Sequence, residues 1–245
     1  MSPELSVVIP FHDESESIQP LVVELFAALS DLVTFELICV DDGSTDDTFE
    51  RLRTAQEGHP GLHLARHRDR CGQSTAVRSG VKLAKAPWVA TLDGDGQNDP
   101  ADIPRLLAIV RDPACSPDLQ LVIGLRRQRQ DKLLKRISSR VANRVRARIL
   151  GDETLDSGCG LKLFRRAAFL DLPYFDHMHR FLPALIQRNG GRVISVPVSH
   201  RPRERGRSHY GVLDRLGAGV LDLLGVLWLK RRARRPVLDY WDGEG

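Results

Sequence analysis

The sequence predicts an α/β protein, a mostly parallel sheet flanked by helices with an amphipathic helix at the C-terminus. Three observations predict it. Short β-rich runs alternate with stretches of helical periodicity, the spacing of parallel strands joined by crossover helices. Three of those runs end in acidic residues, at the strand ends where such sheets gather ligands. The 245 residues, 42% apolar and 28% charged, suffice to bury one sizeable core without low-complexity tracts or internal repeats.

The elements follow in order. Residues 5–10 form a β-rich run closed by Pro10, and Ile18, Leu21, Val22, Leu25, Phe26 and Leu29 then recur at helical spacing. Residues 35–40, 62–65 and 88–92 predict further strands, with helices over 45–56, 74–85 and 103–110. A strand at 121–124 precedes a long basic helix over about 131–150 and a mixed, Gly-rich segment at 156–164. A helix near 181–188 and a strand at 193–198 complete the core. An Arg-rich loop, 200–208, leads to an apolar helix and a basic tail. The composition change sets a soft boundary, with a core at 1–209 and a helical appendage at 210–245.

The formal net charge of +4 is modest, but its distribution is uneven. Arg126, Arg127, Arg129, Lys132, Lys135, Arg136, Arg140, Arg144, Arg146 and Arg148 crowd one segment, and a second run spans residues 230–235. Such runs are ordinarily solvated faces; joined to a function they suit phosphates, nucleic acid or an anionic membrane. Cys39, Cys71, Cys115 and Cys159 are scattered without CxxC spacing, and the apolar or Gly-rich surroundings of Cys39 and Cys159 favour buried thiols in a reducing compartment. The N-terminus lacks the charged and apolar regions of a secretion signal. The longest apolar stretch, residues 216–229, is interrupted by Asp222 and falls short of the roughly 20 residues that span a bilayer. The expectation is a chain that is soluble or lies on a membrane.

The strand ends carry Pro10-Phe11-His12-Asp13-Glu14, Asp41-Asp42-Gly43-Ser44 and Asp93-Gly94-Asp95-Gly96-Gln97. Each alone has a bland explanation, since Asp42 or Ser44 could cap the next helix and Asp-Gly pairs form turns. Three on one sheet edge are harder to dismiss, because converging carboxylates repel unless a cation or a donor-rich ligand joins them. Magnesium or manganese would take oxygen ligands from such a turn and keep sites for substrate phosphates. A calcium loop is excluded, because Asn98 stands at its glycine position and Pro104 at its bidentate glutamate position. Neither GxGxxG nor GxxxxGK[ST] follows the first strand, which argues against dinucleotide enzymes and P-loop NTPases.

These three motifs, in this order, resemble the signature of family 2 glycosyltransferases with the GT-A fold, a Rossmann-like nucleotide-diphospho-sugar transferase fold. Within that family the chain most resembles the polyprenyl-phosphate, dolichol-phosphate mannose synthase-like branch. Supporting stretches are Gly72-Gln73-Ser74, residues 156–162, residues 179–183, residues 200–203 and residues 206–210. The resemblance covers about residues 5–211. It implies that Asp93, Asp95 and Gln97 handle a divalent cation, Mg2+ or Mn2+. It also implies that Pro10, Phe11, Glu14, Asp42, Gln73, Asp93, Gly94 and Ser208 line the donor site. Arg126, Lys135 and Ser139 become the acceptor-phosphate site, and Arg203 and Ser208 a loop that closes over the diphosphate. The family usually has Lys where this chain has His209, which shifts the loop's charge to a pH-dependent group or to Arg207.

The expected reaction is metal-dependent, inverting transfer of a hexose from a UDP- or GDP-linked sugar to a polyprenyl phosphate. A phosphate acceptor is already ionised and needs no strong base; positioning and stabilising the departing diphosphate remain. A hydroxyl acceptor, as on a cell-envelope glycan, is the alternative and would need a carboxylate base, for which Asp156 is the candidate. Two rivals stand further off: a non-catalytic nucleic-acid- or membrane-binding relative, and a sugar nucleotidyltransferase, which would need a Gly-rich loop after the first strand. Nucleic acid is not an expected partner. Val212, Leu213, Leu216, Val220, Leu223, Leu224, Leu227 and Trp228 recur at helical spacing before the basic run, as in an interfacial helix on anionic lipid. Packing on the domain or in a homodimer is the competing use of that helix. Relatives of this branch often carry transmembrane helices beyond this point, so a membrane protein partner is also expected, at the cytoplasmic face of the membrane. No residue separates uridine from guanosine, or glucose from mannose.

Overall fold

The computed structural model describes residues 2–126, 146–152, 154–202 and 212–234, with the backbone alone at 212–218. Among these residues one seven-stranded sheet runs in the order β3-β2-β1-β4-β6-β5-β7. Its strands are β1 (Leu5–Phe11), β2 (Phe35–Asp41), β3 (Leu62–Arg66), β4 (Trp88–Thr91), β5 (Leu119–Arg126), β6 (Lys162–Arg165) and β7 (Arg192–Val198). β6 alone runs antiparallel, between β4 and β5; the remaining pairs are parallel. The helices are α1 (Ile18–Leu29), α2 (Thr48–Glu57), α3 (Gln73–Leu83), α4 (Ile103–Arg111), α5 (Arg166–Leu170), α6 (Leu182–Arg188) and α7 (Val212–Arg231).

Both sheet faces are covered, so the interior strand β1 is buried at all seven positions instead of alternating. Its pleat still sorts its side chains. Leu5, Val7, Ile9 and Phe11 join α1 and α4 in one core layer, while Val8 joins α3, α5 and α6 in the other. β7 lies at the sheet edge, where Pro197 costs no ladder bond to a further strand.

The expected α/β class and mostly parallel sheet are present. The segment 156–164 differs, because its end becomes β6, a four-residue strand with charged ends that is too short for a periodic signal. α2 begins at Thr48 rather than Thr45, and Asp41 Oδ1 instead accepts Ser44 N–H at 3.0 Å to build the intervening turn. Of the long basic helix only residues 146–150 are described, and they are helical.

α7 starts just past the expected boundary and packs back on the core. Val226 is fully buried, with Leu223, Leu227 and Leu229 against the same layer. Arg188 Nε donates to Leu229 O at 3.0 Å and Lys230 Nζ donates to Leu150 O. Its other face exposes Val220, Leu221, Leu224 and Trp228. Among the described residues no helix is long and apolar enough to cross a membrane.

Candidate active site

The carboxyl end of β4 opens into a turn that its own side chains shape. Asn98 Oδ1 accepts Asp93 N–H at 3.1 Å, and Asp95 Oδ1 accepts Gln97 N–H at 3.1 Å. Gly96 takes a left-handed φ of 72°, a conformation open to glycine at little cost. Gly94 lies so close to β1 that a Cβ there would come within 2.7 Å of the Phe11 ring and of Pro10 O. Ser17 Oγ donates to Gly94 O. The turn is thereby pinned to the end of β1, and Pro10 and Phe11 serve as its buried floor.

Asp93 is held from two further sides. Gln73 Nε2, at the first turn of α3, donates to Asp93 Oδ1 at 2.7 Å. Gly160 leaves room for the other oxygen, since a Cβ there would stand 2.3 Å from Asp93 Oδ2. Burial first, and the Asp95 charge second, push the Asp93 carboxyl up to about 6, against the opposing pull of Lys162 and Arg126. Two aspartates on one tight turn, the second near enough for its charge to raise the first, offer hard oxygen donors that fit a divalent cation of the magnesium or manganese kind. Gln97 stands beside them but turns its amide to the chain that follows β7, donating from Nε2 to Arg201 O at 3.3 Å. Arg201 N–H donates back to Gln97 O at 3.0 Å, and its guanidinium reaches Glu24 at 2.5 Å and Asp99 at 2.9 Å.

At the end of β2 the Asp42 carboxylate, 3% exposed, is committed to the loop before α3. It accepts His67 Nδ1–H at 2.7 Å and Cys71 N–H at 2.9 Å on Oδ1, and Gly72 N–H at 2.7 Å on Oδ2. That loop delivers Gln73 to Asp93. Asp13, at φ 52°, accepts Thr45 N–H at 2.8 Å. Burial would raise its carboxyl, but the Thr45 N–H and His12 outweigh it and hold it low. Half-buried Glu14 donates its N–H to Thr48 Oγ1 at 3.0 Å.

Across the crevice, Arg126 at the end of β5 forms a bidentate pair with Asp156, with Nε and Nη2 each 2.7 Å from a carboxylate oxygen. Burial opposes the Arg126 charge and Asp156 overrides it, so the guanidinium pKa is raised. Lys162 is 3% exposed and donates to Cys159 O. Burial pushes its ammonium below the usual lysine range, against the pull of Cys159, Asp93 and Asp156. Ser74 Oγ and His179 Nδ1 are 2.7 Å apart, and burial, with Lys162 adding to it, holds that imidazole well below the usual histidine range.

The structure therefore brings Pro10, Phe11, Gln73, Asp93, Gly94, Asp95 and Gln97 together, with Arg126 and Asp156 as a second charged group. Lys135, Ser139, Arg203 and Ser208 lie outside the described residues. Sequence reasoning missed Asn98, Lys162, His67 and His179 as members of the site. Asn98 follows the acidic turn, and Lys162 and His179 sit in stretches that carry the family resemblance, but only long-range contacts reveal what each touches.

Residues 6–172 match the family described as glycosyl transferase family 2. The chain is 37% identical over 239 residues to dodecaprenyl-phosphate galacturonate synthase of Rhizobium johnstonii, covering 95% of this chain and 69% of that protein. It is 34% identical over 213 residues to undecaprenyl-phosphate 4-deoxy-4-formamido-L-arabinose transferase of Edwardsiella ictaluri, covering 85% and 63%. Among solved structures it resembles glucosyl-3-phosphoglycerate synthase from Mycobacterium tuberculosis in complex with Mn2+, UDP and phosphoglyceric acid. The TM-score is 0.69 at 21% identity, covering 95% of this chain and 80% of that one. A mannosyltransferase from Pyrobaculum calidifontis in complex with GDP-Man and Mn2+ gives 0.65 at 20%, covering 96% and 66%. The two structures share the GT-A fold, and the sequence matches go further: the chain belongs to glycosyl transferase family 2.

Proposed function

We propose that the chain transfers a hexosyl group, with inversion, from a nucleoside-diphosphate sugar to a polyprenyl phosphate, with a divalent cation held by Asp93 and Asp95. The observation that carries the reading is the Asp93–Asp95 turn. Two converging carboxylates, one buried enough to be pushed up to about 6, form an uncompensated site that a cation and a diphosphate would complete. The relatives named above take dodecaprenyl and undecaprenyl phosphates, which supports the acceptor class. When bound, the cation would neutralise negative charge on the leaving diphosphate.

The chain's own residues prepare that site. Gln73 fixes which Asp93 oxygen faces the crevice, and Asn98 fixes the turn behind it. Pro10, Phe11, Glu14 and Asp42 would border the nucleoside end of the donor, and Gln97 ties the turn to Arg201, two residues before Arg203, which with Ser208 would close over the diphosphate. Arg126, held by Asp156, would present its guanidinium to the acceptor phosphate, a role that Lys135 and Ser139 would share. That pairing also favours phosphate over hydroxyl as acceptor. Both Asp156 oxygens accept from Arg126, and a carboxylate stabilised this way is a poor base.

A polyprenyl acceptor is met at a bilayer. We place the chain peripherally at the cytoplasmic face, with the exposed apolar side of α7 on lipid and the basic residues beyond it on headgroups. Incubation with UDP- and GDP-sugars and undecaprenyl phosphate, with and without chelator, tests the reaction. Product should require the cation and fall at least about 100-fold in Asp95→Ala. Equal product from that variant overturns the cation assignment, and transfer only to a sugar hydroxyl overturns the acceptor.

A further inference from the structure

We propose that Asp42, His67 and Cys71 form a second cation site, for a thiophilic divalent cation such as zinc, at the rim of the donor pocket. The sheet register builds it. Parallel pairing sets Asp41 of β2 beside Arg66 of β3, so the next residues, Asp42 and His67, leave the sheet side by side. Cys71 follows four residues later on the turn into α3. One ligand atom from each of the three lies within 4.8 Å of the other two.

The donor set differs in kind from the Asp93–Asp95 turn. That turn offers hard oxygens alone, whereas sulfur, imidazole nitrogen and one carboxylate oxygen suit zinc and leave a fourth position open. The supporting contacts are also in place. Asp42 is oriented by the Cys71 and Gly72 N–H groups. His67 Nε2 lies 2.9 Å from Ser79 Oγ, a partner for the non-ligating nitrogen of the kind that orients metal-bound histidines. On binding, the His67 proton shifts from Nδ1 to Nε2, where Ser79 Oγ accepts it. Nδ1 and Asp42 Oδ1, now 2.7 Å apart, each turn a lone pair to the cation. The Cys71 thiol releases its proton to solvent. Cys71 is exposed, unlike Cys39 and Cys159, so the site has an entry path.

Occupancy would clamp the 67–72 loop to the end of β2 and engage the Asp42 carboxylate. Resting on the donor pocket proposed above, this makes the bound cation an antagonist of the nucleoside diphosphate. Titration of the full chain with cobalt(II) alone should give a sulfur-to-cobalt charge-transfer band saturating near about one equivalent. The band should vanish in Cys71→Ser, weaken at least about 10-fold in affinity in His67→Ala, and persist in Asp95→Ala. No band, or a band that survives Cys71→Ser, overturns the site; circular dichroism confirms that each variant is folded. Zinc should then weaken UDP or GDP binding about 10-fold in the parent chain and leave Cys71→Ser unaffected. Unchanged nucleotide affinity while the cobalt band forms overturns the antagonism and leaves the cation site standing. Nucleotide that fails to bind even without zinc overturns the donor pocket instead.

Discussion

Asp93 shows how one side chain ties stability to chemistry. Burial and the Asp95 charge push its carboxyl up to about 6 in the folded chain, against an ordinary value of 3.8. Between those values the native state binds more protons than the unfolded one, so the cation-free protein loses stability as pH rises from about 4 to about 6, and the loss persists above. Asp93→Asn removes that charge and keeps the Oδ1 that accepts from Gln73. At pH 7.5, without cation, it should therefore raise stability by about 1–2 kcal/mol, a few degrees in Tm, while transfer falls at least about 100-fold. A melting point below the parent's would contradict this account. Activity of the parent should decline as pH falls below about 6, where protonation of Asp93 competes with the cation.

At the scale of elements, two glycines mark close approaches that leave no room for a side chain, one between α3 and the sheet and one at the turn after β4. Gly80 in α3 faces β1 and β2, and a Cβ there would lie 2.4 Å from Val8 Cγ1 and 3.2 Å from Val40 Cγ2. Alanine ordinarily stabilises a helix interior over glycine by about 1 kcal/mol. Here overpacking should outweigh it, and Gly80→Ala should destabilise by about 1–3 kcal/mol in a denaturant titration. Gly160, just before β6, contacts the Asp93 carboxylate instead of the apolar core. Gly160→Ala should reduce transfer at least about 10-fold, because a misplaced reactive group costs rate steeply, with a smaller change in melting temperature than Gly80→Ala. The reverse ranking would show that the strand end does not set Asp93's position. The stretch leading into β6 thus packs against Asp93, a contact of which its sequence gave no periodic sign.

For the molecule as a whole, α7 is held to the core on one side and open on the other. One side of it is locked to the core by Val226, Arg188 and Lys230, and the other exposes Val220, Leu221, Leu224 and Trp228. An apolar stripe beside the exposed Arg231, Arg232 and Arg234 has the polarity and charge that suit an anionic bilayer. Replacing Leu221 and Leu224 together by Asp should lower co-sedimentation with anionic vesicles at least about 10-fold and leave the fold intact by circular dichroism. A concentration-dependent dimer that this variant abolishes, with vesicle binding unchanged, would assign the stripe to a second copy of the chain.

The sequence by itself determined what local chemistry can specify: the alternation of strands and helices, the acidic strand ends, the Asp93–Asp95 turn and the apolar stripe before the basic tail. Each of these lies within one stretch of chain, where periodicity and turn residues are direct consequences of backbone geometry. Only the tertiary structure decided the partners. Asp42 turned out to hold the 67–72 loop, and Asp156 to clasp Arg126 thirty residues away. Gln73 reached Asp93, and Ser74 met His179 across 105 residues. Those pairings depend on strand order and register, including the insertion of β6 between β4 and β5. Such long-range contacts are fixed by how whole faces bury against one another, which no single stretch of sequence encodes.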